Sequence, residues 1–169
     1  MDTSIVKRLM IKIFLKVQTI IKNKFNLEEL KKIYNASGNS IIHVEVYYSK
    51  FFKPDELIFS GNYKLGKETV ERLDDNITRY DGVAKTDYET IINIILGKVS
   101  RMYGDVKIIE PYTILDAFRE GRLVIYGVDN KTENYLGDIA LFEHIYLNAL
   151  PELRDSFNKM FGGGTNAKG

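Results

Sequence analysis

A repeat of apolar side chains in the first 34 residues constrains the fold of this chain more than any other feature. Side chains three and four positions apart lie on one face of an α-helix, so the spacing of this repeat predicts a helix. We expect it over residues 4–34, either unbroken or split in two by a break near Asn26. The repeat consists of Ile5, Leu9, Ile13, Val17 and Ile20.

The apolar face of this helix is wider than a single contact surface requires, because Phe14 and Phe25 extend it. A basic stripe of Arg8, Lys12 and Lys16 runs beside it. Three interpretations compete: the helix packs on its own sheet, it binds another subunit, or it lies on anionic lipid or nucleic acid. Nucleic acid is the least favoured partner, since the net charge is only +1 and basic and aromatic residues are not interleaved.

The rest of the chain mixes strand and helix signals. Residues 41–48 alternate between apolar and polar side chains, as a half-buried strand does. Thr86 and Glu89 form a capping box that favours a central helix over 86–103. A C-terminal helix is expected from about residue 142 to 161, interrupted or restarted at Pro151. Further strands are expected at 56–64, 106–110, 122–128 and 134–140, the first of these regions being alternatively a pair of short strands turning at Gly61.

These elements predict an α+β fold, in which a small, mainly antiparallel or mixed sheet packs with the N-terminal, central and C-terminal helices. A length of 169 residues suits one domain, which we place at 1–161 with N-terminal helix 4–34. Residues 162–169 are expected to form a flexible glycine-rich tail.

Composition excludes several classes of function. The chain has no cysteine, which excludes disulfides, thiolate catalysis and cysteine-based zinc sites and favours an intracellular location. Lys12 and Lys16 interrupt the apolar run that a signal peptide needs. We also find no run of about 18 apolar residues, so we expect no transmembrane segment. Cytoplasm, or an intracellular assembly such as a virion, is the expected location.

The stretch from Gly61 to Lys67 nearly matches a phosphate-binding loop. Such a loop places Ser or Thr after its Lys to hold Mg²⁺, but this chain has Glu68 there. A carboxylate would stand beside the phosphates that it should help to bind. We therefore interpret the stretch as a turn leading into a helix over about 67–80.

Acid–base chemistry would require the few histidines to have suitable partners. His43 and Glu45 share one face of the strand at 41–48, where a histidine beside a carboxylate forms a general acid–base pair. The other histidine, His144, would have to join them to make a metal or nucleophile site. The alternative function is thus a nucleotide-handling or hydrolytic enzyme that uses Lys67 or the His43/Glu45 pair.

The leading expectation is a non-enzymatic structural or assembly subunit that acts through protein–protein contacts in a homo- or hetero-oligomer, such as a virion or other ring-forming apparatus. We expect no cofactor, no metal ion and no catalytic residue. The expected partners are protein subunits. The candidate interface residues are Leu9, Ile13, Phe14, Val17, Ile20, Phe25, Phe51, Phe52 and Tyr63.

Overall fold

The structure is a computed structural model that describes residues 3–49, 53–127 and 133–161 of the chain. Its helices and strands confirm the predicted α+β class. In chain order they are α1 (Thr3–Lys24), α2 (Leu27–Ile33), β1 (Ile42–Ser49), β2 (Lys53–Leu65), β3 (Val70–Arg72), β4 (Gly82–Asp87), α3 (Tyr88–Leu96), β5 (Lys98–Tyr103), β6 (Val106–Pro111), α4 (Ile114–Arg119), β7 (Leu123–Gly127) and α5 (Glu133–Phe161).

The N-terminal helix breaks where the sequence suggested. Asn26 has an extended backbone, and its side-chain oxygen accepts a hydrogen bond from the Glu29 backbone nitrogen at 3.2 Å. This is an N-cap, which satisfies one of the backbone donors that the start of a helix leaves unpaired. The predicted helix is therefore two helices, α1 and α2.

Five strands form the main sheet in the order β3-β2-β1-β4-β7. β1 and β4 run parallel and every other neighbouring pair is antiparallel, so the prediction of a mainly antiparallel or mixed sheet is confirmed. β5 and β6 form a separate two-stranded hairpin. The predicted strand at 106–110 is therefore present as β6, but it lies outside the main sheet.

The region around Gly61 is one long strand rather than two short ones. Gly61 pairs with Val44 and Asn62 pairs with His43 inside the β1–β2 ladder, so no turn occurs there. The expected helix at 67–80 is also wrong. The Gly66 backbone nitrogen donates to the Thr69 oxygen at 2.8 Å and closes a tight turn from β2 into β3.

The central helix ends at Leu96, and the predicted continuation to residue 103 is wrong. Gly97 has a φ of +73°, a left-handed conformation that glycine adopts readily and that ends helices. The chain then forms β5, whose Val99 is buried in a small cluster with Tyr112 and Ala117. The helix begins after Asp87, whose carboxylate caps it by accepting from the Thr90 backbone nitrogen, and not at Thr86.

The predicted returning strand at 134–140 is wrong, because α5 runs without interruption from Glu133 to Phe161 and includes Pro151. Gly137 lies against the end of α2, where an added Cβ would come within 2.4 Å of the Asn35 backbone oxygen. Asp138 is fully buried and accepts hydrogen bonds from the backbone nitrogens of Gly38 at 2.9 Å and Ser40 at 2.8 Å. These long-range contacts outweigh the local alternation that favoured a strand.

The main core lies between one face of the sheet and the two long helices α1 and α5. Apolar side chains of both helices interlock with those of β1, β2 and β3 there. The largest fully buried members are Met10, Ile21, Leu27, Val46, Leu65, Val70, Ile95, Leu141 and Ile145.

Asp138 provides a test of the contact between α5 and the segment that leads into β1. Asp138→Ala leaves two buried backbone N–H groups without an acceptor, so we expect the free energy of unfolding to fall by about 2–4 kcal/mol. Asp155→Ala, at an exposed position of the same helix, should change it by less than about 0.5 kcal/mol. Urea denaturation measures both variants. Equal losses would contradict the assigned role of Asp138.

Candidate functional site

A cavity of about 500 Å³ lies between the inner face of the main sheet and the helices α1, α3, α4 and α5. Its lining is almost entirely aliphatic and aromatic. The apolar lining residues are Ile13, Phe14, Val17, Ile42, Val44, Ala84, Ile91, Ile94, Ile95, Ile114, Phe118, Leu123, Ile125, Ile139, Phe142, Ala149, Leu150 and Leu153.

The register of the sheet accounts for the position of the cavity. Gly61, Val44, Ala84 and Ile125 form one row across four neighbouring strands. Paired residues of neighbouring strands share a sheet face, so all four positions belong to the inner face. The ring of Tyr63 fills the space above Gly61, 2.9 Å from where a Cβ would lie, whereas the methyl group of Ala84 leaves space beneath the helices. Fewer atoms cover the sheet here than a close-packed interior requires.

Two polar contacts hold α3 over this space. At its start, the buried carboxylate of Asp87 accepts from Arg122 Nη2 at 3.2 Å and thereby ties the helix to the beginning of β7. At its end, Arg154 Nε of α5 donates to the Ile95 backbone oxygen at 2.6 Å. An added Cβ at Gly97 would lie 2.7 Å from Arg154 Nη2, and the φ of +73° strains any other residue at this position.

Four lining residues carry polar side-chain atoms: Tyr63, Thr86, Glu143 and Tyr146. The Thr86 hydroxyl donates to the Arg122 backbone oxygen at 2.8 Å and is already satisfied. Burial raises the pKa of both tyrosines, so their phenols stay protonated at neutral pH. Glu143 is exposed to solvent, which places it at the opening of the cavity.

A second polar cluster covers the opposite face of the sheet. His43 Nε2 lies 3.3 Å from Glu45 Oε2, and Glu45 Oε1 accepts from the Tyr47 hydroxyl at 2.9 Å. Lys85 Nζ is 3.4 Å from the same oxygen. Burial alone would raise the pKa of Glu45, but the hydrogen bonds from Tyr47 and His43 and the charge of Lys85 more than offset it and lower the pKa.

This cluster confirms that His43 and Glu45 share a face, but it brings no other histidine to them. His43 Nδ1 is 2.8 Å from Asn62 Oδ1, and its ring stacks on Tyr80 at 4.5 Å. His144 lies elsewhere, on α5, with its Nδ1 2.8 Å from the Tyr34 hydroxyl. Catalysis by the His43/Glu45 pair therefore stays an untested hypothesis.

Lys67 lies in the turn between the antiparallel strands β2 and β3. A phosphate-binding loop instead connects a strand to a helix, whose first backbone N–H groups face the phosphates. The local structure at Lys67 does not have this arrangement, which agrees with the conclusion drawn from Glu68.

The structure places most candidate interface residues inside the subunit. Ile13, Val17, Ile20 and Tyr63 are buried in its core, and their surfaces face other parts of the same chain. A partly buried group also packs against that core, and it consists of Leu9, Phe14 and Phe25. Phe51 and Phe52 lie outside the described residues, as does the tail at 162–169.

Sequence reasoning missed the cavity. Ile13, Phe14 and Val17, which are candidate contact residues for a partner, also line the cavity. The available signal was Ala84, a small side chain at an inward-facing position of a strand.

Comparison with known proteins assigns no family. No family model and no curated protein matches the sequence. Among solved structures, sterol carrier protein domain 2 of Helicoverpa armigera is 14% identical, with 79% of this chain and 85% of that chain covered and a TM-score of 0.43. Sterol carrier protein 2 like 2 of Aedes aegypti is 14% identical, with 75% and 98% covered and a TM-score of 0.31. The methyltransferase MycE is 10% identical, with 78% and 32% covered and a TM-score of 0.29. These values are too low to support a functional argument.

The described ranges contain neither a membrane-spanning helix nor a cluster of metal ligands. Across 3–49, 53–127 and 133–161, no helix combines the length and the hydropathy needed to cross a membrane. Within the same three ranges, no three His, Asp or Glu side chains converge as metal ligands would.

Glu45 gives a pH-dependent test of the outer cluster. Its lowered pKa means that the ionised form stabilises the fold above the ordinary value of 4.5, and this contribution is lost as the pH falls through the lower folded value. Glu45→Gln should therefore lose less stability than the wild type between about pH 6 and about pH 3. Thermal unfolding across this range measures the difference, and Glu29→Gln on α2 is the control. Parallel curves for Glu45→Gln and wild type would exclude the contribution.

Proposed function

We propose that this protein binds an apolar or amphiphilic small molecule in the cavity between the sheet and the helices. The observation that carries the proposal is the size and lining of that cavity, about 500 Å³ and almost wholly apolar. Ligand sites are typically about 300–1,000 Å³ with a few polar groups. Close-packed interiors contain few voids larger than a water molecule, so an ordinary core would have filled this space.

Binding would be driven by removal of the ligand's apolar surface from water, at about 25 cal/mol for each Å² buried. The cavity lies next to Phe118 of α4 and Ile125 of β7, both of which remain substantially exposed. An entering ligand would therefore meet apolar side chains before it reaches the interior. The proposal describes a binding protein and includes no chemical step.

A substitution that fills the cavity tests this function. Ala84→Phe places a ring in the space between Val44 and Ile125, and we expect the affinity for the uncharged fluorescent probe N-phenylnaphthylamine to fall at least about tenfold. The control is Leu115→Phe, which adds a ring at an exposed position of α4. Fluorescence titration measures both. Undiminished binding by Ala84→Phe, or no binding by the wild type, would refute the proposal.

A second candidate is self-association, which retains the expectation of an oligomeric subunit. β7 ends the order of the main sheet, and Val124, Ile125 and Tyr126 are all at least 38% exposed with no charged residue between them. Natural edge strands usually carry charges, prolines or a cover that prevents pairing with another chain. The nearby β5–β6 hairpin exposes Met102 at 62% and Ile109 at 64%.

The partner that we propose for the surface formed by β7 and the β5–β6 hairpin is a second copy of the chain. Antiparallel pairing of one strand with its own copy is self-complementary. One side of the β5–β6 hairpin packs on the chain through the buried Val99, and cover of its exposed side would add stability to this two-stranded element. Assembly into a virion or ring, and an intracellular location, stay predictions from the sequence.

The hairpin allows a matched test of self-association. Met102 and Ile109 share one hairpin face, so replacing both with Lys adds two charges to a surface that a partner would bury. We expect the wild type to sediment as an oligomer and Met102→Lys/Ile109→Lys to shift toward monomer. Leu136→Lys, at an exposed apolar position of α5, is the control. A monomeric wild type at high concentration in analytical ultracentrifugation would exclude this candidate.

A further inference from the structure

Tyr146 is a polar residue of the cavity lining whose hydroxyl group no contact with another protein group in the described ranges explains. It projects from α5, lines the cavity, and its ring stacks with Phe142 at 6.3 Å between centroids. Throughout the residues that the structure describes, no hydrogen bond joins the Tyr146 hydroxyl to another group. Tyr63, the other phenol of the cavity, is near enough to influence Tyr146 electrostatically without bonding to it.

A hydroxyl in such a place normally has a partner. Tyr146 is only partly buried, so its hydroxyl can bond water that enters the cavity or a molecule that displaces this water. Helix position 146 could hold Phe without any loss of contacts with other protein groups. The hydroxyl is therefore available to bond a molecule that fills the cavity.

The charges of the lining narrow the chemistry of that molecule. The lining contains no Lys, Arg or His, and its one charged group is the carboxylate of Glu143 at the opening. An anionic headgroup inside would lose its hydration without gaining a cation, which is strongly unfavourable. A neutral group that both accepts and donates a hydrogen bond faces no such cost.

We propose that the ligand is an uncharged amphiphile with a hydroxyl headgroup, of the class of long-chain alcohols, and that the Tyr146 hydroxyl is its hydrogen-bond partner. The inference rests on the proposed function and adds the polarity of the ligand and the residue that selects it. Tyr146 thus determines specificity, whereas the apolar lining supplies most of the affinity.

A competition experiment tests this selection. Dodecanol, dodecanoate and dodecylamine are titrated at neutral pH against N-phenylnaphthylamine bound to the wild type, to Tyr146→Phe and to Tyr34→Phe. Tyr34 is the control because its hydroxyl bonds His144 and does not line the cavity. A cooperative thermal transition with a midpoint near that of the wild type shows that each variant is folded.

In the wild type, dodecanol should displace the probe at lower concentration than dodecanoate or dodecylamine. Tyr146→Phe should weaken dodecanol about three- to tenfold more than it weakens the probe, the range expected for one hydrogen bond. Tyr34→Phe should leave every value unchanged.

If the probe still binds, three results would overturn this inference without refuting the proposed function. They are a preference for dodecanoate, a preference for dodecylamine that Glu143→Gln removes, and an unchanged affinity of Tyr146→Phe for dodecanol. Failure of the wild type to bind any of the four compounds would instead refute the proposed function itself.

Discussion

The small side chain of Ala84, paired with Val44 and Ile125 in one row across the main sheet, is the constraint on which the rest of the site depends. Under β1 and β2, large side chains of α1 and α5 meet the sheet and form a tight core. Toward β4 and β7, Ala84 gives the helices little to pack against. The same sheet face therefore supports a solid interior on one side and an apolar cavity on the other.

Long-range polar contacts keep the helices at the distance that preserves this cavity. Asp138 fastens α5 to the segment before β1, while Asp87 and Arg154 fasten the two ends of α3. Each contact pairs a charged side chain with groups that would otherwise be buried without partners, so breaking any of them is costly. The helices cannot readily collapse into the space without breaking these bonds.

The sequence predicted the elements that depend on neighbouring residues and failed where contacts between distant residues decide the structure. α1 and β1 could be predicted because a buried face imposes its period directly on neighbouring residues. The helical structure of residues 134–140 could not be predicted in this way. Gly137 and Asp138 contact Asn35, Gly38 and Ser40, which lie about 100 positions away in the sequence. Gly97 carried a local signal for the end of α3, but the longer apolar stripe outweighed it. The cavity depends on pairings among four strands, and no local pattern encodes those.

The central claim is that an apolar chain occupies this cavity, and contact measured atom by atom tests it most directly. With ¹³C-methyl isoleucine and bound dodecanol, we expect intermolecular nuclear Overhauser effects from the alkyl chain to Ile91, Ile94 and Ile125, which line the cavity. Ile108 and Ile109 of the hairpin should show none, because they lie outside it. Effects confined to Ile108 and Ile109, or none to any of the five, would contradict the account.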